Sequence, residues 1–188
     1  MTTKRSLFAT ITGFVLISGL LAAPASAQQA GAAPPAGDGR TALVKDVGNL
    51  SEKFVGLARV MAGKYDWRPG AGVRSVSEVF NLIVTENTML AGLLTAPAGQ
   101  GRGGGMGPAA PPITDPVAMQ DALRSSYASV SQALVALPAA DLGTSVTLFG
   151  QPTTKQGAVW MLLMDQHEHL GQSIAYARTN SVVPPWSK

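Results

Sequence analysis

The chemistry this chain can do is concentrated in Asp165-Gln166-His167-Glu168-His169-Leu170-Gly171-Gln172, where both histidines, two carboxylates and glutamine stand within eight residues. Such groups bind metal ions or move protons, and the backbone decides which of them can act together. The stretch lies in a helical run from about Thr154 to Thr179, with Thr153 or Thr154 as its cap and Asn180 and Pro184-Pro185 beyond its end. Residues four apart on a helix share a face, whereas residues two apart point nearly opposite ways. Asp165, His169 and Gln172 therefore form one stripe, and His167 lies on the other side. A His-x-His pair on a helix cannot chelate one ion; Asp165 with His169 can. His167 falls among Trp160, Leu163 and Leu170, which is the setting of a packed or interface histidine. Glu168 points sideways, as a solvated charge does.

The remaining elements must hold this stretch in place. Leu43, Val47, Leu50, Phe54, Leu57 and Met61 recur at alternating steps of four and three, predicting a first helix that starts near Thr41 and is closed by Gly63. Ser75-Val76-Ser77-Glu78 is a capping box opening a second helix over about Val76 to Leu94, with Val79, Ile83, Leu90 and Leu94 inward. Glu86 falls within that inward stripe. A lone carboxylate is expensive there, so Glu86 has either a partner or a place at the stripe's wet edge, the commoner arrangement. Asp115-Pro116 starts a third helix carrying Met119, Leu123, Tyr127, Val130, Leu134 and Leu137, and Pro138 ends it. Between helices two and three lies a long Gly/Pro-rich connector, Ala96 to Pro112. Its Gly-Arg-Gly-Gly-Gly lacks the following Lys-Ser/Thr and the preceding strand of a phosphate loop, so it reads as a flexible link. Residues 139–153 form a second connector, with a short extended piece at Ser145–Phe149. The pattern is all-α, a four-helix bundle. The fourth helix has two apolar faces, one of Trp160, Leu163, His167, Leu170 and Ile174, the other of Met161, Leu162, Asp165, His169, Gln172 and Tyr176. This predicts burial on two sides, against the core and against a connector or second subunit.

Composition excludes several classes of function. There is no cysteine, so disulfides, thiol nucleophiles and lipid attachment at a signal-peptide cysteine are ruled out. Lys4-Arg5, the apolar run Leu7 to Ala23 and Ala25-Ser26-Ala27 have the form of a cleaved export signal spanning 1–27. An Ala/Gly/Pro-rich spacer (28–40) and one domain (41–188) follow, in an exported, periplasmic or secreted protein. Loss of Lys4 and Arg5 lowers the formal charge from +3 to +1. No basic patch interleaved with aromatics suggests nucleic-acid binding, and no later apolar stretch is long enough for a membrane. No Gly-x-Ser-x-Gly elbow supports a serine hydrolase. Trp67, Trp160 and Trp186 have the spacing of packing anchors.

Tyr65, Arg68-Pro69, Gly72-Val73-Arg74-Ser75-Val76-Ser77-Glu78-Val79, then His169-Leu170-Gly171-Gln172 with Tyr176 and Arg178, and Val183-Pro184-Pro185 stand in a recognisable order. From Leu43 to Ser187 the chain resembles the DinB/YfiT-like superfamily of four-helix bundles. The resemblance implies a metal site of three histidines, one in helix two and a His-x3-His pair in helix four. Here those positions are Leu82, Asp165 and His169. Leucine cannot be a ligand, whereas Asp165 can, and Glu86, one turn beyond Leu82, offers a replacement oxygen. Glu86, Asp165 and His169 are thus the candidate ligands for a divalent metal, manganese, nickel or zinc, and an oxygen-rich set shifts preference toward manganese or magnesium. The resulting expectation is an exported, DinB-like, non-catalytic binding or structural module with a degraded metal site and no firm cofactor, assembled as a homodimer. The rival is a metal-dependent hydrolase or transferase. Export separates the chain from the cytoplasmic thiol used by several relatives.

Overall fold

The structure, a computed structural model, describes residues 39–97, 102–103 (backbone only) and 111–187. The expected signal peptide, nearly all of the 28–40 spacer and the centre of the 96–112 connector lie outside the described residues. Four helices dominate: α1 (Arg40–Val60), α2 (Val76–Thr95), α3 (Pro116–Ala136) and α4 (Lys155–Thr179).

Local chemistry sets their starts. Ser75 Oγ accepts from the Glu78 N–H at 3.3 Å and Glu78 Oε2 accepts from the Ser75 N–H at 2.6 Å, the reciprocal box the sequence implied. Asp115 Oδ1 accepts from the Val117 and Ala118 N–H groups ahead of Pro116. Thr154 Oγ1 accepts from the Gly157 N–H at 3.0 Å, fixing the frame of α4. The periodic apolar positions of α1, α2 and α3 are all buried. Both α1 and α2 pack against α3 and α4. Phe54 stands at the centre, edge-on to Phe80 and stacked with Tyr127, each at 6.3 Å between centroids.

The connectors carry a small three-stranded sheet. Strand β1 (Arg102–Gly103) runs parallel to β2 (Ser145–Leu148), and β2 is antiparallel to β3 (Gln151–Thr154). The sequence suggested the extended piece at 145–149 but not its partner, because Pro152 removes a donor and reads as a breaker. In an edge strand that loss is tolerated. The two-residue turn needs left-handed backbone at both positions, and Phe149 (φ 50°) and Gly150 (φ 77°) supply it. At the other end of the long connector, the Asn81 side-chain amide makes a pair of 2.9 Å bonds with the backbone of Ile113, tying the entry to α3 onto α2.

Helix α4 departs from expectation. Its buried side is one stripe, Val159, Leu162, Leu163, Gln166, Leu170, Ser173 and Ala177, running between the two faces read from the sequence. Trp160, expected to be a packing anchor, is half exposed and shares the outward face with Met161 and Met164. The two-face reading split the stripe because its centre, Gln166, is polar. Among the described residues no helix is long and apolar enough to cross a membrane.

Candidate metal centre

Glu86 projects from α2 toward α4 and is 5% exposed. The wet-edge reading of this carboxylate is therefore corrected. It is buried because the polar strip of α4 packs over it, giving polar rather than apolar neighbours. One ligand atom each from Glu86, Asp165 and His169 lies within 4.8 Å of the others. Asp165 and His169, one helical turn apart, approach to 3.4 Å between Oδ2 and Nε2. Asp165 stays half exposed and opens the cluster to solvent, whereas Glu86 forms its floor.

A chain of hydrogen bonds fixes which nitrogen of His169 faces the carboxylates. The Arg74 backbone carbonyl can only accept, so the Tyr176 hydroxyl donates to it, at 3.1 Å. Having used its one proton, Tyr176 Oη accepts from Gln172 Nε2 at 2.7 Å. Gln172 Oε1 is left facing His169 Nδ1 at 2.9 Å, so Nδ1 carries the proton. In the neutral ring Nε2 is then a bare lone pair aimed at Asp165. Trp67 packs edge-on against Tyr176 at 5.2 Å and steadies this chain from the side. Sequence reasoning placed Gln172 in the stripe and Tyr176 beside it, but missed the backbone carbonyl at Arg74 that gives the chain its direction.

Acceptors therefore meet acceptors, which is unfavourable unless a cation or protons intervene. Burial pushes the Glu86 carboxyl up to about 8, and the neighbouring Asp165 adds to the rise; Arg74 and the Gln166 amide oppose it. Glu86 Oε2 has no hydrogen-bond partner among the described residues. These features fit a divalent ion, whose charge the two carboxylates would balance and whose nitrogen ligand the fixed tautomer would supply. One nitrogen with carboxylate oxygens suits hard ions such as manganese or magnesium better than zinc.

His167 takes no part. It is exposed rather than packed, and its Nε2 lies 2.9 Å from Asp46 Oδ2 of α1. Glu168 is exposed, as expected. Two clefts, lined by Leu94, Leu137 and Lys155 and by Tyr65, Trp67 and Thr114 among others, lie away from the triad.

By sequence, the chain matches no protein-family description and no curated protein. Two crystal structures share its architecture. The DinB-like protein YjoA from Bacillus subtilis is 15% identical, with 78% of this chain and 97% of that chain covered at a TM-score of 0.60. A DinB-like protein from Bacillus cereus is 18% identical, with 77% and 95% covered at a TM-score of 0.64. The fold is DinB-like. This bears out the fold read from the sequence, and the DinB-like bundle is what brings α2 and α4 together around Glu86.

Proposed function

We infer that this DinB-like bundle is an exported binding module that holds a hard divalent cation, manganese or magnesium, through Glu86, Asp165 and His169. The observation that carries the reading is the convergence of a buried carboxyl with one oxygen unpartnered among the described residues, a second carboxylate and an imidazole within 4.8 Å. Export rests on the basic-apolar-small pattern of residues 1–27. The replacement of two histidine positions by Leu82 and Asp165 argues against the catalysis that the resemblance implies. A homodimer is the assembly proposed, motivated by the outward face of Trp160, Met161 and Met164.

Elemental analysis of protein purified without a histidine tag from medium containing manganese tests the site. Near-stoichiometric manganese, lost in His169→Ala, is the expected result. Metal-free protein whose melting is indifferent to added Mn2+ would remove the reading. The half-exposed Asp165 favours a second reading, a metal-dependent hydrolase; hydrolysis of a simple phosphoester or carboxylic ester panel by the Mn2+-loaded protein, lost in Glu86→Gln, would select it.

A further inference from the structure

Behind the triad lies a second set of polar groups that the binding reading has not used. Gln166 and Asn87 are fully buried and Ser126 nearly so, in a bundle interior built mainly of aliphatic and aromatic side chains. They form a chain across α3, α2 and α4 whose direction is dictated by its inner end. The Leu123 backbone carbonyl can only accept, so the Ser126 hydroxyl donates to it at 3.0 Å. Ser126 Oγ must then accept, and Asn87 Nδ2 donates to it at 3.1 Å. That turns Asn87 Oδ1 toward Gln166, whose Nε2 donates to it at 2.9 Å. The root in α3 thus decides that Gln166 presents the nitrogen end of its amide to α2.

An amide nitrogen carries two protons, and Asn87 takes one of them. The other has Glu86, the residue before Asn87, as its acceptor. Burial raises the Glu86 carboxyl and Asp165 adds to the rise, but Gln166 acts on it in the opposite direction, which requires an amide N–H to face it. Glu86 Oε2 has no hydrogen-bond partner among the described residues. Turned over, the amide would set its oxygen against two acceptors, Asn87 Oδ1 and the Glu86 carboxyl. As it stands, Gln166 Oε1 is instead left without a donor among the described residues.

We propose that Gln166 is a positioning residue of the cation site: its amide, oriented by Asn87 and Ser126, holds Oε1 of Glu86 through an N–H and leaves Oε2 as the single ligating oxygen. The inference rests on the cation reading and deepens it by giving the buried ligand one binding mode. It parallels the chain at His169, which is also rooted on a backbone carbonyl and also selects one ligand atom. The two chains end differently because their ligands differ. The imidazole needs an acceptor for its Nδ1 proton, whereas the carboxylate needs a donor on the oxygen that the ion does not use.

Gln166→Met keeps most of the side chain's length and removes the donor. Binding of Mn2+ alone to the full chain, followed by electron paramagnetic resonance, is expected to weaken about 10–100-fold in this variant. A packing role would also weaken binding, so a second readout follows the coordination mode. In protein labelled with carbon-13 glutamate, the infrared difference between Mn2+-loaded and metal-free samples gives the splitting of the Glu86 carboxylate stretches. A wide splitting, from one-oxygen ligation, is expected in the parent, and a narrower one, with both oxygens on the ion, in Gln166→Met. Weaker binding with the splitting unchanged overturns the proposal, as does unchanged affinity. A parent that binds no Mn2+ overturns the cation reading itself, which distinguishes the two failures. Should the variant not fold, nuclear magnetic resonance of the Mg2+-loaded parent decides. A coupling through the hydrogen bond from Gln166 Nε2 to Glu86 Cδ is expected beside the one to Asn87 Cγ, and absence of the Glu86 coupling overturns the proposal.

Discussion

Glu86→Gln in metal-free protein is the sharpest probe of the buried carboxyl. The group sits at about 8 in the folded chain against an ordinary value of 4.5, mainly through burial and secondarily through Asp165. Folding therefore takes up a proton between these values. The sign follows: Glu86 causes no loss of stability below about pH 4.5, stability falls as pH rises because the unfolded chain ionises first, and the loss is complete above about pH 8. At about 1.4 kcal/mol per pH unit, the whole interval corresponds to at most about 5 kcal/mol, and the step from pH 5 to pH 7.5 to about 3 kcal/mol. Glutamine has nearly the same shape and no charge to bury. Urea unfolding in chelator at these two pH values should show wild type losing about 3 kcal/mol more than the variant. Parallel pH profiles for the two proteins would refute the argument that burial holds this carboxyl protonated.

Other substitutions test other parts of the account. Tyr176→Phe interrupts the chain from Arg74 to His169 and should weaken Mn2+ binding about 10–100-fold by calorimetry while the fold is retained. Lys155, 4% exposed, donates to the Leu94 and Ala96 carbonyls at the end of α2, so Lys155→Met should cost about 2–3 kcal/mol in urea unfolding without changing cation affinity. If Trp160, Met161 and Met164 form a dimer face, light scattering on Trp160→Glu/Met164→Glu should show a monomer where the parent is a dimer.

The bundle was legible because apolar spacing, the Ser75–Glu78 box and Asp115-Pro116 are local signals, and each local signal agreed with the tertiary packing. Glu86, Asp165 and His169 could be singled out by residue type, register and resemblance. What the sequence withheld depends on contacts between elements. Whether Glu86 was wet or buried turned on how α4 packs over α2. The centre of the buried stripe of α4 was hidden because Gln166 and Ser173 are polar, and hydrophobic periodicity cannot count them. For the same reason the buried amide chain through Asn87 leaves no periodic trace. Strand β3 was masked by Pro152, which is acceptable only because that strand pairs on one side.

Anomalous diffraction at the manganese edge, from crystals of the full chain soaked in Mn2+, interrogates the centre most directly. The account predicts one strong peak at coordinating distance from Glu86, Asp165 and His169. A peak elsewhere, or an undisturbed cluster with Glu86 bonded to Asp165 and no ion between them, would contradict it.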